Sequence, residues 1–317
     1  MAEYTSLQDT IYQPIAHQMS TRGVAPDRPQ EQLGDNYLAS ALNFLVRRGR
    51  VEKRFGFEPL NEGNVGTGNA MAFFEFQPSN TAMLVAATPV TFLYAFGAGA
   101  SDWASISTTA RTGTYNNPIF FTSFLTVSSG QRLVSVNGVD HPSHWTGSTA
   151  SAFIVMSTAI IGACMTAWRG HLVLGDTTVA TGDGTIQTRI NWSALGDPVT
   201  WAGTASAGFI DLMSINSSRI QCFQAMRTTL LAYKREGVHA LIYKASPFYF
   251  TQVEMHPGIA ALSRRAVAPL HTGDLHFVAT QDGIIIWDGQ SIRPIGRDRV
   301  DKTILQSLNL SALETVW

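Results

Sequence analysis

Two histidines three residues apart, His141-Pro142-Ser143-His144, are the first residues whose types and spacing invite chemistry. On one turn of a helix such a pair can share a metal ion. Here Pro142 and the preceding Asn137-Gly138 turn place them in a loop, and only Asp140 stands nearby. Zinc takes about four ligands, three of them from protein in catalytic sites, so the pair reads as a polar loop at a strand end. Gly182-Asp183-Gly184 and Gln281-Asp282-Gly283 have the look of calcium loops but lack further acids at alternate positions. They read as hairpin turns.

Hydrolysis of a glycoside is the most tempting reaction. Ser193, Gly196, Thr200 and Trp201 make a stretched version of the Ser-x-Asp-x-Gly-x-Thr-Trp corner found in sialidases, with Leu195 where the acid belongs. That corner is itself structural. A glycosidase also needs two carboxylates about 5 to 9 Å apart across a cleft, and the acids here stand mostly singly in turns. No G-x-S-x-G elbow, phosphate-binding glycine loop or H-E-x-x-H occurs. The expectation is a chain without catalysis, cofactor or metal.

Charge leaves one candidate contact. Arg47-Arg48-Gly49-Arg50-Val51-Glu52-Lys53-Arg54 is a basic cluster beside alternating apolar residues. It suits nucleic-acid phosphates, an acidic neighbouring subunit or a solvated strand edge equally. The whole chain carries a net charge of −1, so nothing global advertises DNA or a membrane surface. Trp103, Trp145, Trp168, Trp192, Trp201 and Trp287 fall near corners. There a flat ring can wedge one sheet against the next, or line a sugar-binding face.

The elements that must position these residues are short strands. Over 190–212 the sequence INWSALGDPVTWAGTASAGFIDL closes a strand and turns at Gly196-Asp197-Pro198. It brings a second tryptophan nine residues after the first and turns again at Gly203 and Gly208. Glycine and proline at this density exclude a helix, so the run reads as a corner between antiparallel strands. Five rounds of three or four such strands follow one another from residue 71 to residue 295. They start roughly 40 to 55 residues apart, the spacing of a propeller blade. The fold expected is all-β and propeller-like, with about five to six blades over 61–317 and an irregular, Pro-rich N-terminal arm over 1–60. Within the arm, 35–45 reads as a short Ala/Leu-rich helix, and 301–310 as a helix or irregular segment. Residues 313–317 read as the opening of a further strand, so the ring is expected to be incomplete at its C-terminal end.

Of 317 residues, 45% are hydrophobic and only 14% charged, which suits a protein covered in part by neighbours. Cys164 and Cys222 each lie in an apolar run and are expected to be reduced and buried. The opening MAEYTSLQDT lacks the pattern of a signal peptide, and no apolar run reaches the length of a membrane helix. The chain reads as soluble and made in a reducing compartment.

The order of these features resembles the tail hub, or nozzle, propellers of short-tailed bacteriophages. A Pro-rich opening leads to Asn43 and then to Gly49-Arg50-Val51-Glu52-Lys53-Arg54-Phe55-Gly56-Phe57. Next come Asn137-Gly138-Val139-Asp140-His141-Pro142 with Trp145-Thr146-Gly147, and then Trp192-Ser193-Ala194-Leu195-Gly196-Asp197-Pro198-Val199-Thr200-Trp201. Asp282-Gly283 and Trp287-Asp288-Gly289 close the series, so the likeness spans roughly residues 40 to 300. The resemblance implies a non-enzymatic virion protein in a ring of sixfold symmetry below the portal and adaptor. Its partners would be copies of itself, the adaptor and other tail proteins, with transient, non-specific contact with genomic DNA in the exit channel.

Overall fold

The computed structural model describes residues 70–308 except 80–81, 97–102, 108–109, 149, 180–183, 205, 214–216, 245, 247–248, 271–272 and 298–299. Before residue 70 it describes only 26–27, 29, 32, 44–47 and 50–53. The chain divides into two units, residues 1–57 with 298–303 and residues 58–297 with 304–317.

In the first unit β1 (Phe44–Arg47) and β2 (Arg50–Lys53) form an antiparallel hairpin in which Val46 pairs with Val51 and Arg47 with Arg50. This corrects the expected helix over 35–45 at its C-terminal end. Phe44 and Leu45 are extended, because a β-branched and aromatic run beside a matching strand favours pairing. The rest of that expected helix lies outside the described residues. A short helix, α1 (Asp301–Ser307), falls where the sequence allowed one. Its first N–H groups are capped from a distance: the Asp27 carboxylate accepts from Lys302 N at 2.9 Å and Thr303 N at 3.0 Å.

The described residues of the second unit form five antiparallel four-stranded meanders. The first holds β3 (Ala72–Phe76), β4 (Met83–Ala87), β5 (Phe92–Phe96) and β6 (Ala104–Ser105). The second holds β7 (Phe120–Thr126), β8 (Gly130–Val136), β9 (Ser143–Trp145) and β10 (Ile154–Val155). The third holds β11 (Ile160–Trp168), β12 (His171–Val179), β13 (Gly184–Trp192) and β14 (Gly208–Asp211). The fourth holds β15 (Ile220–Met226), β16 (Thr229–Lys234), β17 (Val238–Tyr243) and β18 (Phe250–His256). The fifth holds β19 (Val267–Pro269), β20 (His276–Thr280), β21 (Gly283–Trp287) and β22 (Ile292–Pro294). The first strands meet in series, β3 with β7, β7 with β11, β11 with β15 and β15 with β19. They therefore run along the inside and the fourth strands along the outside. The fold is all-β and propeller-like, with the five sheets as blades.

The layers between blades hold the core. In β16, Leu230 and Ala232 face the third blade while Leu231 and Tyr233 face the fifth. In β8, Leu133 faces the first blade and Val134 and Val136 the third. Strands buried on both faces need unbroken apolar runs, and each such side chain contributes about 1.5–3 kcal/mol of burial. Cys164 lies between blades three and four and Cys222 between blades four and five, so a sheet separates the two buried cysteines. Arg265 draws the fifth blade back toward the first two, its guanidinium donating to the carbonyls of Met71 at 2.9 Å and Ile119 at 3.2 Å.

Candidate functional site

The corners carry most of the residues singled out in the sequence, and each corner is tied down by its own hydrogen bonds. Asn137 Oδ1 accepts from the N–H groups of Val139 and Asp140, and its Nδ2 donates to Asp140 Oδ2 at 2.8 Å. Gly138 adopts φ +77° and donates its N–H to Gly162 O at 3.0 Å, stitching blade two to blade three. Asp140 pairs with buried Arg111 at 3.1 Å. Burial works against the Asp140 charge, but hydrogen bonds from Thr112 and Asn137 and the Arg111 guanidinium outweigh it and hold its carboxyl below the ordinary value.

The second corner works in the same way. Gly196 (φ +67°) donates to Gly170 O at 2.7 Å and accepts from Val127 N at 3.1 Å. Asp197 accepts from Val199 N at 2.9 Å and Thr200 Oγ1 at 2.7 Å, the Asx-turn chemistry that precedes buried Pro198 and Trp201.

The tryptophans are wedges. Trp145, Trp192 and Trp287 each end the third strand of their blade, where the fourth blade has Tyr243. Trp145 lies between blades one and two, Trp201 between two and three, Trp192 between three and four, and Trp287 between four and five. Trp145 Nε1 donates to Ser148 O and Ser151 O, and Trp192 Nε1 to Ser206 O at 3.1 Å. Trp287 stands edge-on to Tyr233, 6.0 Å between centroids. Trp103 is half-buried against Phe73.

The His141–His144 segment departs from its reading as a polar loop. His141 stays in the loop with Nδ1 against Ile160 O, but His144 is inside β9 and buried. Burial, with Arg132 hydrogen-bonded beside it, pushes its pKa down to about 4 and keeps it neutral. His171, His239 and His276 are also lowered, burial being the largest cause in each. Among the described residues no three His, Cys, Asp or Glu side chains gather to hold a metal ion.

Sequence reasoning missed a buried charge network. Asp176 sits at a bulge in β12 with φ +52°, its Oδ2 3.2 Å from both Arg264 and Arg219. A single acid inside an otherwise apolar strand was the available signal. Arg264 and Arg265 also border a cavity of about 340 Å³ lined by β7, β11, β15 and the start of β19. As for the basic run, Arg47, Arg50 and Lys53 occupy positions in the β1–β2 hairpin, while Arg48 and Arg54 lie outside the described residues.

No protein-family profile and no curated protein matches the chain. It is similar in structure to the extracellular domain of a provisionally named hybrid two-component system from B. thetaiotaomicron, with a TM-score of 0.46 and 14% identity over 80% of this chain and 32% of that one. The chain thus spans about a third of that protein's length. A provisionally named 6-phosphogluconolactonase from Bacteroides uniformis gives 0.46 and 8% over 80% and 76% of the two chains. BBS1N, crystallised with ARL6DN, gives 0.43 and 8% over 71% and 65%.

Proposed function

We propose that the chain is a non-enzymatic bacteriophage virion protein, one subunit of a tail hub or nozzle ring that frames the DNA exit channel below the portal and adaptor. The observation that supports this reading is the use made of the corner residues. Asn137, Gly138, Trp145, Trp192, Gly196, Asp197, Pro198, Trp201 and Trp287 carry much of the resemblance to those proteins. Gly138 bonds to the next blade and Gly196 to Val127 of the preceding one, the tryptophans fill the layers between blades, and Asn137 and Asp197 brace the turns of their own corners. The conspicuous chemistry of the chain goes into a stiff frame. The buried faces of Trp145, Trp192 and Trp201 are closed to a sugar ring, which weighs against the carbohydrate-binding alternative.

On this reading the basic hairpin meets either a neighbouring subunit or passing phosphates, and the protomers close head to tail, the number six coming from the resemblance. The test is mass spectrometry of purified particles together with native mass measurement of the recombinant chain, with and without residues 1–45. The whole chain is expected in the particles and in rings of six, and the truncated one as monomer. Absence from the particles, or a chain that stays monomeric beside its adaptor, overturns the reading.

A further inference from the structure

We propose that the cavity lined by the inner strands binds a small organic anion through its acidic group; this does not rest on the tail-ring reading. The walls of the cavity are mainly polar. Arg264 and Arg265 border it, Thr122, Thr166 and Gln224 add neutral polar groups, and none of its lining residues is acidic. Phe120, Met165, Phe223 and Val267 complete the lining and pack into the layers between blades. A volume of about 340 Å³ falls within the range of small-molecule pockets.

The arginines are set before any ligand arrives. Arg264 is 6% exposed and is held by Asp176, which also pairs with Arg219 through the same oxygen. Arg265 is fixed by the carbonyls of Met71 and Ile119 and lies over the Phe120 ring, 5.7 Å from its centroid. Arg219, Arg264, Arg265 and Asp176 together bear more positive than negative charge. An anion entering the cavity meets that surplus at a site partly shielded from bulk water, where attraction is strengthened. Guanidinium groups already immobilised lose little side-chain freedom on binding, and their planar forks suit a carboxylate or a phosphate.

The test uses the full chain titrated at constant ionic strength with benzoate, phenyl phosphate and the neutral isostere benzamide, read by calorimetry. At least one anion is expected to bind one to one and at least tenfold more tightly than benzamide, and the tighter of the two identifies the head group. Arg265→Gln is expected to weaken that anion at least tenfold and leave benzamide unchanged. Should Arg265→Gln fail to fold, the isosteric Thr122→Val/Thr166→Val variant decides, with an expected loss of about threefold or more. Anions that bind no more tightly than benzamide, or whose affinity is unchanged in the variants that fold, overturn the proposal.

Discussion

Trp192 and Trp201 stand nine residues apart on one corner and serve opposite faces of the same sheet. The ring of Trp192 packs edge-on against Phe250, 5.0 Å between centroids, in the layer shared with the fourth blade. Trp201 joins Phe124, Leu172 and Leu174 in the layer shared with the second. The Gly196-Asp197-Pro198 turn lets the chain cross the end of the sheet between them. One corner therefore fastens the third blade on both sides.

Truncating either ring removes a large buried aromatic. Trp192→Ala and Trp201→Ala are each expected to cost about 3–5 kcal/mol in urea unfolding. Because the rings belong to different layers, the double variant should be additive within about 0.5 kcal/mol. A larger coupling would mean that the two layers respond as one.

Gly138 and Gly203 separate backbone strain from contact. Both have positive φ, +77° and +79°. A Cβ on Gly203 would meet nothing within 4 Å, whereas one on Gly138 would lie 3.0 Å from Ala163 Cβ and 3.2 Å from its Cα. Gly203→Ala should cost about 1 kcal/mol, the left-handed penalty alone. Gly138→Ala should cost about 3 kcal/mol, because blade three must retreat. Equal losses in a denaturation experiment would refute the close approach.

Asp176→Asn tests the buried network while keeping a residue type that tolerates the left-handed backbone. Removing the carboxylate leaves buried Arg264 without the charge it faces. A loss of about 3 kcal/mol is expected. Arg219, the more exposed partner, should contribute less, so Arg219→Gln is expected to cost under about 1 kcal/mol.

Acid should weaken the fold in two steps. The folded protein holds His144 neutral down to about pH 4, while the unfolded chain takes up that proton near the ordinary 6.5. Between these values the unfolded state binds more protons, so stability falls as pH falls through the window. Asp140 and Asp197 are lowered from 3.8, so their contribution is present above that value and is lost as pH falls through their folded pKa. His171, His239 and His276 are lowered as well and add to the first step, so His144→Gln should shrink that step of a melting-temperature profile without abolishing it and leave the second.

The blades were legible where both faces of a strand are buried. The run 229–233 reads as a strand in the sequence because Leu230 and Leu231 must both find apolar neighbours, one on each side. The turn at Gly196-Asp197-Pro198 was equally plain, although the Asx bonding of Asp197 that makes it came only with the structure. Which layer each tryptophan serves was not legible, since that depends on the path of a corner and on bulges such as the one between Gly175 and Thr177. Arg264 and Arg265, two like charges side by side, look like a solvated surface until the inner strands of three other blades are brought around them. The expected helix over 35–45 failed at Phe44 and Leu45, where a strand partner one hairpin away outweighs the propensity of an Ala/Leu-rich run.

Each inner sheet shares its two faces between two layers, and this governs how the protein emerges from the ribosome. A newly completed blade has one face covered by its predecessor and the other bare until the next blade is made. At about 5–20 residues per second, a blade of roughly 50 residues leaves that oily face uncovered for several seconds. The nascent chain thus presents a sticky sheet at its growing end, moving along with synthesis, besides the bare face of the first blade. That sheet is where a trigger-factor-like chaperone would have to sit, and where two chains made side by side would first adhere.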